Sequence, residues 1–108
     1  MDKIYIHPLL EKAAMFIAAA NGHLEILKLN FATFQYKNPS HSDGMTPFHY
    51  AALFGNVEVC KFLVENVMDK NPSQNDGRTP FHYAAHYGNL ELCKLISNNI
   101  IVLKNKLF

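Results

Sequence analysis

Apolar residues at helical spacing stand out first in the middle of the chain, where Val57, Cys60, Leu63 and Val64 place one stripe along a helix. Upstream, Thr46 followed by Pro47 predicts a helix start. A threonine oxygen accepts from the free amides of a first turn, and proline tolerates the first helical position. That helix runs only about two turns, because Gly55 is comfortable in the left-handed conformation that closes helices. Asn56 then predicts the N-cap of a second helix, with Glu58 in its first turn, where negative charge favours the positive helix end. Asn71-Pro72-Ser73 ends the element in a loop that leads to Asp76-Gly77, a strong turn signal. The unit reads helix, turn, helix, loop.

The same unit recurs. Asp43-Gly44-Met45-Thr46-Pro47-Phe48-His49-Tyr50-Ala51-Ala52 returns 33 residues later as Asp76-Gly77-Arg78-Thr79-Pro80-Phe81-His82-Tyr83-Ala84-Ala85. The register holds without a gap through Gly88-Asn89, Glu91, Cys93-Lys94 and Asn99, which match Gly55-Asn56, Glu58, Cys60-Lys61 and Asn66. A worn earlier copy shows in Ala18-Ala19, Gly22, Glu25 and Lys37-Asn38-Pro39-Ser40. This divides the chain into an N-terminal segment, 1–9, and three units, 10–42, 43–75 and 76–108. Helices this short are marginal alone, since isolated helices below roughly 12–15 residues barely persist in water. Stability therefore comes from stacking, with the core a continuous row that needs about three units. Ala51-Ala52 and Ala84-Ala85 fit that picture, because small side chains let the first helices of successive units approach.

Composition narrows the range of functions. The chain has 108 residues, one domain's worth at most, and a formal net charge of +1. It therefore carries no broad field to attract phosphate backbones or anionic lipid. Apolar residues make up 49% and charged residues 18%, the composition of a globular chain. The longest apolar run, Ala13 to Ala20, falls far short of the roughly 20 residues of a membrane-spanning helix. With Lys3 and Lys12 before it and Ala18-Ala19-Ala20 at its end, the run also has some features of a short signal peptide. Glu11 interrupts the basic leader, however, and the run lies in register with the repeat. Two cysteines are too few for a disulfide scaffold, so a reducing compartment, cytoplasmic or nuclear, is expected.

With Asp-Gly-x-Thr-Pro-Phe-His-x-Ala-Ala-x-x-Gly-Asn-x-Glu in two copies at this period, residues 10–108 resemble the ankyrin-repeat family. The resemblance implies an all-α solenoid of stacked helix-turn-helix units with projecting β-hairpin-like loops. It also implies a non-enzymatic protein-interaction module, without cofactor, small-molecule substrate, nucleic acid or membrane as its target. The structural motif maps onto Thr46, Pro47, His49 and Gly55, and onto Thr79, Pro80, His82 and Gly88, with both histidines expected to bond between neighbouring units. Some positions depart from the family pattern. Phe48 and Phe81 stand where leucine is usual, and the first unit reads Ala13-Ala14-Met15-Phe16 in place of the threonine-proline motif. The glycine expected after each second helix is Phe34, Val67 or Ile100, so Asn66 or Asn99 becomes the candidate for a left-handed cap. The closing Ile100-Ile101-Val102-Leu103 and Leu107-Phe108 are apolar for an end unit. Two readings of that end stand open: part of a longer array, or a face covered by association.

Candidate chemistry is sparse. His82 and His86 have the i, i+4 spacing of helical metal ligands, but no third ligand accompanies them and His82 already has a structural role in the motif. Cys60 and Cys93 share one register position, with Leu27 in the first unit. Neighbouring units stand roughly 10 Å apart, beyond the approximately 7 Å limit between Cα atoms for a disulfide, so both read as buried, inert thiols. No serine elbow or phosphate-binding glycine loop is present.

Subtracting the structural positions leaves a candidate concave surface, placed by the ankyrin pattern: Ser42, Asp43, Met45, Leu53 and Phe54 in the middle unit, and Asn75, Asp76, Arg78, His86 and Tyr87 in the last. Met45, Leu53, Phe54, Asp76, Arg78, His86 and Tyr87 form the expected contact set, rich in types that dominate interface cores. The competing reading packs Leu53 and Phe54 beneath a neighbouring loop or cap. At the level of function, the alternative to an interaction module is a structural or capping segment of a larger ankyrin protein with no separate partner. Binding through Arg78 and the lysines is weaker, because Lys61, Lys70 and Lys94 look like solvated faces.

Overall fold

The computed structural model describes residues 8–33, 39–67 and 69–107, with side chains described from 10 to 101. Six helices follow in order: α1 (Pro8–Asn21), α2 (Leu24–Thr33), α3 (Pro47–Leu53), α4 (Val57–Asn66), α5 (Pro80–His86) and α6 (Leu90–Leu107). The described residues contain no strand. Each odd helix packs on the even helix that follows it. The odd helices stack on one another as one row and the even helices as a second. The result is an all-α repeat fold two layers deep. α1 begins at Pro8, ahead of residue 10, where the first unit was expected to start.

The elements begin and end for local reasons. α3 and α5 are seven residues long and start at Pro47 and Pro80, each directly after its threonine. Gly55, at φ +70°, turns the chain out of α3 and back into α4. Asn56 precedes α4 but does not cap it. Its Nδ2 instead donates to the carbonyls of Ala19 and Ala20, at 2.7 and 3.0 Å, closing the C-terminal end of α1 in the unit before. Asn89, at the same register, does cap: its Oδ1 accepts from the Leu92 amide at 3.1 Å.

The glycine missing after the second helix is replaced in another way. No residue other than glycine among those described has positive φ, so neither Asn66 nor Asn99 forms a left-handed cap. α4 ends as Val67 turns extended. The Lys70 ammonium then donates to the carbonyls of Val64 and Val67, at 2.6 and 2.8 Å, supplying a cation where the helix dipole is negative. α6 does not stop at Ile100 and runs on to Leu107. Phe34 lies outside the described residues.

The core is one continuous band. Met15, Leu27, Phe48, Val59, Leu63, Val64, Leu92 and Ile96 are all but inaccessible to solvent, and they join through Ala18, Ala19, Ala51, Ala52 and Ala84 where the first helices meet. Val59 belongs to the buried stripe of α4, whereas Val57 is only half-buried. Asn30 is the odd member. It lies buried where the other units carry Leu63 and Ile96, and its Nδ2 has no hydrogen-bond partner among the described residues.

The loops before α3 and α5 are tight turns of identical design. His41 donates to Met45 and Gly44 to His41 in one; Gln74 donates to Arg78 and Gly77 to Gln74 in the other. Asp43 and Asp76 brace them by accepting from the amides two residues on. The two turns are tied together by Asn75, whose amide donates to Asp43 and whose side chain donates to Ser42, at 2.8 and 2.9 Å.

Two predictions follow from this packing. A methyl group at Gly44, φ +86°, meets Asn75 Oδ1 at 2.8 Å and the Asn75 nitrogen at 2.9 Å, whereas one at Gly77 meets nothing within 4 Å. Gly77→Ala costs about 1 kcal/mol from backbone strain alone. Gly44→Ala costs more, and equal losses in urea unfolding would show that the inter-turn contact is unimportant. Asn30→Leu removes a buried amide with no partner among the described residues and raises unfolding free energy by about 1–2 kcal/mol in the same assay.

Candidate functional site

The surface is organised around one histidine. The Thr46 amide donates to His49 Nδ1 at 3.1 Å, while Thr46 Oγ1 accepts from the His49 amide at 3.4 Å, a reciprocal cap at the start of α3. Because a backbone amide only donates, Nδ1 must be the unprotonated nitrogen. The ring proton therefore sits on Nε2, which donates to the carbonyl of Arg78 in the next unit at 3.0 Å. His49 thus caps its own helix and clamps the following turn in place. Burial holds its pKa below the ordinary 6.5, although the Arg78 carbonyl and the charges of Asp43, Asp69 and Asp76 oppose that shift. The ring also meets Tyr83 edge-on, at 6.2 Å between centroids.

One unit further on, the same box forms without the clamp. Thr79 donates to His82 Nδ1 at 2.9 Å, but His82 is exposed, and no carbonyl among the described residues takes the place of Arg78 for its Nε2. The sequence expectation that His82 bonds between units is therefore not met among the described residues, because no further turn is stacked on it there. A cleft of about 320 Å³ opens at this point, lined by Arg78, His82, Tyr83, His86 and Tyr87. Tyr83 is pinned by donating to Gln74 Oε1 at 2.7 Å. His86 and Tyr87 meet edge-on at 4.8 Å. Arg78 lies 3.4 Å from the Asp76 carboxylate, with both side chains largely in solvent.

The residues expected on the concave surface divide into groups. Phe54 and Tyr87, at matching positions after the inner helices, are 58% and 62% exposed. Asp76, Arg78 and His86 are exposed, and Leu53 is half-buried. Met45 is buried, contrary to the solvent-facing position expected for it. Its register partner Arg78 is exposed. Arg78, His86 and Tyr87 line one cleft together, and Phe54 lies outside that lining. His82 and Tyr83 line the cleft as well. The sequence reading did not place them at the cleft because both sit in the repeated motif.

Other chemistry is slight. Cys60 is buried and its thiol is pushed up to about 12 by desolvation, while Cys93 is a half-buried free thiol. Among the described residues, no group of three or more His, Cys, Asp or Glu side chains is arranged to hold a metal ion. Likewise, no described helix is long and apolar enough to cross a membrane.

A family model described as ankyrin repeats, in three copies, matches residues 12–106. The chain belongs to the ankyrin-repeat family. No curated protein matches it at a significant level. Ankyrin repeats are in general protein–protein interaction modules and are typically non-enzymatic. In this ankyrin stack, His49 joins the second repeat to the third.

That bridge carries a pH signature. Because the folded-state pKa of His49 lies below the ordinary 6.5, the unfolded chain takes up its proton first as the pH falls. Stability from this residue is complete above 6.5 and is lost as the pH drops through the window between 6.5 and the lower folded value. Thermal midpoints measured across mildly acidic buffers should fall in the wild type and fall less in His49→Gln. Identical slopes in the two proteins would exclude His49 as the source.

Proposed function

We propose that this chain is a non-enzymatic interaction module that docks a protein partner on the concave side of its inner helices and on its turn tips. The observation that carries the reading is the repeated placement of a large ring, Phe54 and then Tyr87, in solvent directly after α3 and α5. A ring held in water by a rigid helix end loses little freedom on binding and offers much area to bury. Leu53, Asp76, Arg78 and His86 flank these rings and supply a mixed polar rim. Met45, which is buried, contributes through the shape of its turn. The repeat boundaries 10–42, 43–75 and 76–108 belong to the same proposal.

The exposed Arg78–Asp76 pair supports a role in specificity more than in affinity, since exposed pairs contribute little. A protein partner is further favoured by the near-neutral charge, which gives nucleic acid or anionic lipid no field to follow.

Affinity capture with immobilised wild type, Phe54→Ala and Tyr87→Ala tests the reading, with circular dichroism on each. A partner held by the wild type should be lost or weakened by about 2 kcal/mol in each variant, with the helical signal unchanged. Should both substitutions unfold the chain, the rings belong to its packing. Should both leave a captured partner fully bound, the docking face lies elsewhere.

A further inference from the structure

The three repeats, aligned in register, differ systematically at their two ends. In the second and third repeats, Tyr50, Val59 and Phe62, and then Tyr83, Leu92 and Leu95, are buried or half-buried. They face the repeat before: Tyr50 meets Phe16 edge-on at 5.3 Å, and Phe62 meets Phe31 at 5.1 Å. In the first repeat, these positions are Ile17, Ile26 and Leu29, which are 58%, 49% and 63% exposed. The opposite face shows the converse. His49 and Ala52 are buried beneath the third repeat, whereas their counterparts His82 and Ala85 are exposed, and Leu90 is exposed where Leu24 and Val57 are half-buried.

The molecule thus carries both halves of its own internal interface, each without a partner among the described residues. We propose that the chain associates head to tail with a second copy of itself, the Ile17, Ile26 and Leu29 face of one copy seating on the His82, Ala85 and Leu90 face of the next. The repeat-to-repeat contact supplies the template. Inside the stack, Tyr50 crosses Phe16 and Tyr83 crosses His49 at equivalent positions. One step on, the same register brings Ile17 of the second copy over His82. It also leaves Leu29 over α6 at Ser97, as Phe62 lies over Phe31. Ala85 offers the small side chain that lets an inner helix approach, as Ala52 does for α5.

Charge does not oppose the contact. The residues named for the two faces, Ile17, Ile26 and Leu29 on one and His82, Ala85 and Leu90 on the other, include no acidic residue, lysine or arginine. The two faces are different surfaces, so their pairing is heterologous and adds copies in series instead of closing at a dimer. Stacks whose end repeats lack a polar outer face behave this way, because solvent-exposed repeat faces are the surfaces on which stacking propagates. Phe54 takes no part in this contact, whereas Arg78 and His86 occupy the positions that are buried or half-buried as Met45 and Leu53 one repeat earlier, so the association and the concave docking surface share those two residues.

Sedimentation velocity on the 108-residue chain over a range of concentrations is the test, with Ile17→Glu blocking one face and Ala85→Glu the other. Both positions are exposed, so circular dichroism should match the wild type; if either variant unfolds, Leu29→Lys and Leu90→Lys replace them. The wild type should grow in mass with concentration past the dimer. Each variant alone should associate at least about tenfold more weakly, because a charge is buried unpaired. An equimolar mixture of the two should recover a dimer, since each retains one intact face. A wild type that stays monomeric throughout overturns the proposal. So does a mixture no better associated than its components, or a dimer that only one of the substitutions disrupts, which would mean like-face pairing.

Discussion

Everything in this chain depends on burial between neighbouring repeats. α3 and α5 have seven residues each, too few to persist in water by their own hydrogen bonds, and α4 has ten. What holds them is a shared apolar band in which the alanines of the inner helices allow close approach, and Phe48, Leu63, Leu92 and Ile96 fill the space between layers. No unit has a centre of its own. The consequence is a molecule whose faces are defined by what stands next in line.

Polar bonds give that stacking its register. Hydrophobic contact alone would tolerate sliding, but the links between repeats are directional. Asn56 closes the end of α1, Asn75 binds the turn at Ser42 and Asp43, and His49 spans from its own helix start to the Arg78 carbonyl. Asn56, His49 and the Asn75 side chain each satisfy a backbone carbonyl of another repeat, while the Asn75 amide adds a main-chain bond to Asp43, and such groups are costly to leave unpaired once buried. His49 has both ring nitrogens engaged and is kept neutral by burial, so it serves as a structural pin.

The same logic explains the chemistry of the last repeat. Arg78, His82 and His86 occupy positions that are buried or half-buried as Met45, His49 and Leu53 one repeat earlier. Where stacking stops among the described residues, those positions open into a cleft beside Tyr83 and Tyr87. The one identical pair among them, His49 and His82, therefore serves as packing in one copy and as surface in the next. Membership of the ankyrin family accounts for the scaffold, and the docking roles of these surfaces are proposals resting on exposure and residue type.

The 33-residue period was legible from the chain alone, together with the helix starts at Pro47 and Pro80 and the turn at Gly55, because each is set by local backbone preference repeated in register. The inter-repeat role of His49 was legible only through family resemblance. Other features were not: Asn56 bonding to the previous repeat instead of capping α4, Lys70 closing α4 in place of a glycine, Val59 joining the buried stripe, α6 continuing past Ile100, and Met45 lying buried while Arg78 does not. Local sequence specifies dihedral preference and which side of a helix is apolar. Which side chain reaches across to a neighbour's carbonyl, and which copy of a repeated residue meets water, depends on the three-dimensional neighbour, and a register shared by all three repeats carries no information about which of them stands at the end.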